Sequence, residues 1–147
     1  MKNLLFIIVV LTLVTIVYAF RYPKVDFKVD SESGIQFHKG TFQQAMELAE
    51  KENKLIFLDI YATWCGPCKK LKSNTFSNKE VGEFYNQTFV NVSLDGENGE
   101  GIELSRKYGV RGYPTLLFID AKGKVVSETS GYHNPSEFID LGKSVKK

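Results

Sequence analysis

Two cysteines and two histidines are all the thiol or imidazole ligands that this chain of 147 residues contains. Cys65 and Cys68, two residues apart, are half of a zinc site, but His38 and His133 stand in no paired ligand spacing, so the other half is missing. Charge of one sign is lacking too. Nineteen Lys and Arg face seventeen Asp and Glu, a formal +2 without a polybasic block, so nothing in the sequence asks for nucleic acid. The lysines are scattered among acids, as on a solvated mixed-charge surface. There is no internal repeat and no low-complexity tract. The length suits one domain with one core.

What the chain does have begins with an apolar start. Leu4 to Phe20 is a run of seventeen residues without a charge, preceded by Lys2. That length falls between the apolar middle of a secretory signal, about 7 to 15 residues, and a spanning helix of roughly 17 to 25. Residues 1–20 are therefore expected to be a signal peptide cleaved after Ala19 or a retained membrane anchor acting through residues 4–20. In either case the rest faces an oxidising space outside the cytoplasm, a periplasm or cell surface. Residues 21–34 mix charged and apolar groups and end in Ser-rich text, which suits a linker or an edge segment. The folded domain is expected over residues 35–147.

Within it, residues 34–40 are a short strand candidate. Residues 41–54 place Phe42, Ala45, Met46 and Ala49 on one helical stripe behind an N-cap at Thr41 or Gly40. Leu55 to Ala62 is a near-continuous apolar run, the pattern of a strand covered on both faces. A helix should follow the cysteines, and another should start at Ser77, with Glu80 in capping-box spacing. A strand over 88–95, a short helix stopped by Gly109 and a hairpin around a Lys-Gly turn come next. The last helix opens with Asn134 as cap, Pro135 in the first turn and Glu137 three residues after the cap. The predicted order β, α, β, α, β, α, β, β, α gives an α/β fold with a central mixed sheet and helices on both faces.

Three chemistries fit Cys65 and Cys68. As a staple the pair would close a very small ring, stabilising by only ~2 kcal/mol against about 4.7 for a 100-residue loop. As ligands, two thiolates suit copper(I), which accepts low coordination. As a dithiol, Cys65 at a helix N-terminus has its thiolate stabilised by the dipole and unpaired N–H groups, and Cys68 lies within reach to resolve a mixed disulfide. Gly66 permits close approach, and Pro67, lacking an N–H, is tolerated in the first turn. The dithiol reading explains the spacing best. Asp59, a carboxyl in an apolar strand, should have a raised pKa and place a proton acceptor near the thiol that must deprotonate; the plain alternative is a strand-end acid bonded to solvent.

Trp64-Cys65-Gly66-Pro67-Cys68, the acid six positions before the first cysteine, and the later run from Tyr108 to Asp120 together resemble the thioredoxin family over about residues 35–147. The stretch around the cysteines is more similar to exported thioredoxin-like domains, related to the C-terminal domain of the thiol:disulfide interchange reductase, than to small cytosolic thioredoxins. The resemblance implies a thioredoxin fold and a protein-disulfide reductase without a cofactor beyond its own cysteine pair. It implies Cys65 as the exposed attacking cysteine, Cys68 as the buried resolving one and Asp59 as the acid assisting proton transfer at Cys68. It further implies a cis Pro114 facing them, with the Tyr113 backbone and Gly131 in the substrate groove and Trp64 on the rim. Implied partners are protein disulfides and a membrane or thioredoxin-type dithiol donor. A copper(I) chaperone and a redox-inert binding module are the competing functions. Two departures from the pattern stand out. Asn91 occupies the place of a lysine common near the buried acid, and residues 95–101 form a longer loop that either reshapes the rim or moves freely.

Overall fold

A computed structural model describes residues 30–146 together with Asp26, Phe27 and six residues of the apolar start, Ile7, Ile8, Val10, Leu11, Thr12 and Val14. Those six are helical; the remainder of the signal-or-anchor segment lies outside the described residues, as do residues 21–25 of the linker. Among the described residues no helix is long and apolar enough to cross a membrane.

The domain runs α1 (Phe42–Glu52), β1 (Leu55–Tyr61), α2 (Gly66–Lys70), a π-helical continuation Leu71–Phe76, α3 (Lys79–Thr88), β2 (Phe89–Asp95), α4 (Glu100–Lys107), β3 (Thr115–Ile119), β4 (Val125–Ser130) and α5 (Pro135–Val145). The sheet order is β2-β1-β3-β4. Strand β1 pairs in parallel with β2 and antiparallel with β3, and β3 pairs antiparallel with β4, so the mixed sheet expected from the sequence is present.

Side-chain alternation along β1 divides the core in two. Ile56, Leu58 and Ile60 pack with Phe42, Ala45 and Ala49 of α1 and Leu104 of α4. Phe57, on the other face, meets Phe76, Tyr85 of α3, Phe118 of β3 and Phe138 of α5. Replacing such a fully buried side chain by Ala costs about 3–5 kcal/mol. Strand β1 is thus covered on both sides, which is why it reads as a continuous apolar run.

Local signals set the helix ends. Thr41 caps α1 and Asn134 caps α5, each in a complete capping box, the latter with Glu137. Two expectations are corrected. Helix α3 is capped by Asn78, whose side chain accepts the Val81 N–H, rather than by Ser77. Residues 34–40 form no strand. The N–H groups of Ile35, Gln36 and Phe37 donate to the Phe76 carbonyl, Asn86 Oδ1 and Asp30 Oδ2, and only His38 donates to a β2 carbonyl, that of Asn91. With three of its donors spent on a helix end and two side chains, the segment builds no ladder.

Candidate active site

The parallel β1 strand delivers the cysteine turn at the end of the sheet. The Cys65 N–H donates to the Ala62 carbonyl at 3.1 Å, and Cys65 then becomes the N-cap of α2, with extended backbone at φ −70° and ψ 115°. Its Sγ accepts the Cys68 N–H at 3.1 Å. Cys65 and Cys68 are joined as a disulfide, their Cα atoms 5.3 Å apart. A helix N-cap lends its first-turn N–H groups to whatever charge the sulfur bears, so this position favours a Cys65 thiolate once the bond is reduced. A Cβ added at Gly66 would meet nothing within 4 Å, so the packing of the chain itself does not require glycine there. Pro67 lies in the first helical turn.

Both sulfurs are covered. Cys65 and Cys68 are each only 2% exposed, which corrects the expectation of an exposed attacking cysteine. They form a small cluster with Tyr61 and Ala62, and Phe27 and Tyr113 pack against it. Phe27 comes from the segment before the domain, 38 positions upstream of Cys65, and local sequence carries no sign of that contact.

Asp59 is on the β1 face shared by Phe57 and Tyr61, the side on which the cysteine cluster sits. Its register partner on β2 is Ser93, whose hydroxyl donates to Asp59 Oδ2 at 2.7 Å. Oδ1 is buried with no hydrogen-bond partner among the described residues. Burial pushes the Asp59 pKa up to about 7, with the Ser93 hydrogen bond and the charge of Lys72 acting in the opposite direction. Tyr61, at the end of the strand, is pushed up to about 12 by burial and by the negative charges of Asp95, Asp59 and Asp26.

Asn91 is buried, its Nδ2 donating to Asn86 Oδ1 at 3.2 Å. The cation acting on Asp59 comes instead from Lys72, in the π-helical turn. Sequence reasoning passed over Lys72. The available signal was its spacing of four from Cys68, one helical turn along the same face.

The rim brings together the remaining expected residues. The indole of Trp64, 66% exposed, donates its Nε1–H to Glu97 Oε2 at 2.9 Å and meets the Tyr113 ring edge-on at 6.0 Å. Residues 95–101 are tied down: Gly96 N–H donates to the Tyr61 carbonyl, and the Glu100 carboxylate accepts the Phe42 N–H at the start of α1. The Tyr113–Pro114 peptide is cis. The Pro114 carbonyl accepts the Gly131 N–H at 3.1 Å, and Gly131, at φ 85°, holds a backbone conformation that favours glycine. Tyr113, Pro114 and Gly131 line one shallow cleft with Arg111 and Glu128. Among the described residues no group of three or more His, Cys, Asp or Glu could hold a metal ion.

Known proteins align with this arrangement. A thiol:disulfide interchange protein DsbD from Yersinia pestis is 32% identical over 95 residues, covering 63% of this chain but 16% of its own length. The chain thus spans about a sixth of the curated relatives it matches. A solved candidate disulphide isomerase from Bacteroides thetaiotaomicron is 43% identical, with a TM-score of 0.68, over 80% of this chain and 96% of that one. The reduced C-terminal domain of DsbD from Neisseria meningitidis is 26% identical, with a TM-score of 0.59, over 71% of this chain and 93% of that one. The family described as thioredoxin-like domain matches residues 42–146. With its redox group supplied by its own Cys65–Cys68 disulfide, the chain belongs to the thioredoxin-like domain family of thiol-disulfide oxidoreductases.

Proposed function

We propose that this domain reduces protein disulfides outside the cytoplasm. The observation that carries the reading is the position of Cys65 Sγ at the N-cap of α2, accepting the Cys68 N–H. In the reduced protein the Cys65 thiolate attacks one sulfur of a substrate disulfide, and the other substrate sulfur leaves as a thiolate. Cys68 then attacks Cys65 Sγ in the mixed disulfide, expelling the second substrate thiolate and forming the Cys65–Cys68 bond. Two electrons pass to the substrate. Asp59 accepts the Cys68 thiol proton as Cys68 becomes a nucleophile; an acid with a pKa near 7 is matched to that task at neutral pH. The Tyr113 backbone, Pro114 and Gly131 hold the substrate chain beside Cys65, with Trp64 on the rim.

The reducing direction draws support from Gly-Pro between the cysteines, shared with thioredoxin, whose own potential is about −270 mV. The apolar start and the likeness to DsbD domains support a site outside the cytoplasm, with attachment through residues 4–20 and a membrane or thioredoxin-type dithiol as electron donor. The test is capture. A Cys68→Ser variant should accumulate mixed disulfides through Cys65, and the parent should catalyse insulin reduction when supplied with a dithiol. Failure of Cys65 to trap any polypeptide would sink the reading.

A further inference from the structure

Two charges stand at opposite edges of the sheet, at the end that carries the cysteine turn. Strands β2 and β4 both run parallel to β1, since β3 is antiparallel to each of its neighbours, so all three finish at that end. Glu97 follows β2 at one edge, Cys65 follows β1, and Tyr132 follows β4 at the other edge. Lys70 of α2 lies over Tyr132, its Nζ 4.2 Å from the ring centroid. Three strand spacings separate the edges, about 14 Å. A substrate chain lying across Cys65 in extended form covers that distance in about four residues.

A chain of contacts joins the two charges into one rim. Glu97 holds the Trp64 indole, which meets Tyr113; Pro114 is then tied to Gly131, and Tyr132 follows. Both charges are held in place. Glu97 Oε2 is fixed by the indole and Lys70 Nζ by the ring beneath it, so pairing with a partner costs either side chain little further freedom. Neither is neutralised: among the described residues Glu97 and Lys70 enter no ion pair. Their neighbours do not cancel them. Glu100 is spent on the Phe42 N–H, and Asp95, whose Oδ1 accepts the Glu97 N–H, adds charge of the same sign. The Tyr113 hydroxyl registers that sign, its pKa raised by burial and then by the charges of Glu97 and Asp95. Lys69 reinforces Lys70, while Arg111 and Glu128 in the cleft oppose each other.

We propose that Glu97 and Lys70 are specificity-determining residues, selecting an extended polypeptide with a cationic side chain on one side of its reacting cysteine and a carboxylate on the other. The cation pairs with Glu97 and the carboxylate with Lys70, each about two residues from the sulfur that Cys65 attacks. The proposal rests on the reading that Cys65 exchanges with polypeptide disulfides, and it adds the substrate class. Both pairs are exposed, so they bias capture by a modest factor and weaken in salt.

The test offers the full-length Cys68→Ser chain, reduced, two end-capped peptides at once, Lys-Ala-Cys-Ala-Asp and Asp-Ala-Cys-Ala-Lys, one of them isotopically heavy. Each peptide is supplied as its symmetric disulfide. The Cys65 thiolate attacks one sulfur, a bond to that peptide forms, and the second copy leaves as a thiolate, so no further reagent is consumed. After acid quench, the ratio of light to heavy adduct reads the preference in one mass spectrum. One order should be captured about fivefold faster than the other, and about 0.5 M salt should bring the ratio near one. Glu97→Gln with Lys70→Gln, which keeps an acceptor for the indole, should also bring it near one, and Glu97→Lys with Lys70→Glu should invert it. A ratio within about 1.5-fold of one without these changes, or a bias that survives the paired glutamines, would overturn the selection. Insulin turnover by the parent is read separately: turnover with an unbiased ratio removes the selection and leaves the reduction, whereas a biased ratio without turnover removes the reduction and leaves the selection.

Discussion

Ser93 stands directly across the sheet from Asp59 and donates its hydroxyl to Oδ2 at 2.7 Å. A hydrogen bond of this kind is stronger to the ionised carboxylate than to the acid, so it opposes the upward push of burial. Ser93→Ala should therefore raise the Asp59 pKa further. Hydrogen bonds to charged groups contribute about 1.5–3 kcal/mol, or roughly one to two pH units. The measurement is an NMR titration of the Asp59 carboxyl in the oxidised protein; a pKa unchanged or lowered in the variant would contradict the assignment.

Asp59 also sets a pH dependence of unusual sign. Its folded-state pKa of about 7 lies above the ordinary 3.8, so between these values the folded protein holds a proton that the unfolded chain has released. Stability from this group is complete below the lower value and declines as pH rises toward the upper one, by about 4 kcal/mol in all. Urea midpoints at pH 5 and pH 8 should show the oxidised parent weakening over that interval. Asp59→Asn, which cannot ionise, should flatten the profile and exceed the parent in stability at pH 8.

The parts of this protein legible in its sequence are those determined within a few residues. Thr41, Asn134 and Glu137 cap their helices through contacts of three residues' reach, and the β1 apolar run reports burial on both faces. The Cys65–Cys68 pair and Asp59 were readable because spacing along one strand and one helix turn carries their relationship. Residues 34–40 show the limit. Their apolar and polar text is strand-like, but a ladder depends on free donors, and Asn86 and Asp30 take two of them from positions far away in sequence. The stack of Phe27 on Tyr61 has the same character: the two meet only after the chain has folded, and no periodicity records a single ring stack. The cation near Asp59 was sought at position 91 on β2, where Asn91 is, whereas Lys72 supplies it from another element.

The loop after β2 is expected to act on the rim through one bond. Glu97 Oε2 accepts the Nε1–H of Trp64, the chain's single tryptophan, so indole fluorescence comes from this one site. Glu97→Ala should shift the emission and free the ring from its fixed angle to Tyr113. Because the bond is exposed, stability should change by less than about 1 kcal/mol. In protein-disulfide reduction the loss should appear in KM more than in kcat, since the rim positions substrate and does not touch the exchanging bond. An unchanged emission spectrum would show that Glu97 does not hold the indole.

Residues 33–34 are fastened at a point where α3 meets them backbone to backbone. A Cβ built on Gly82 would lie 2.5 Å from the Gly34 carbonyl carbon and 2.5 Å from the Ser33 carbonyl oxygen. No side chain is available there to swing aside, so Gly82→Ala must push residues 33–34 away from α3. Overpacking of this kind costs about 1–3 kcal/mol. Two other ties oppose the shift, the Ile35 N–H donating to the Phe76 carbonyl at 2.8 Å and the Asn86 Nδ2 donating to the Gly34 carbonyl at 3.1 Å. Gly82→Ala should thus lower the urea midpoint of the oxidised protein. A midpoint equal to the parent's would show that residues 33–34 give way to the added methyl without cost.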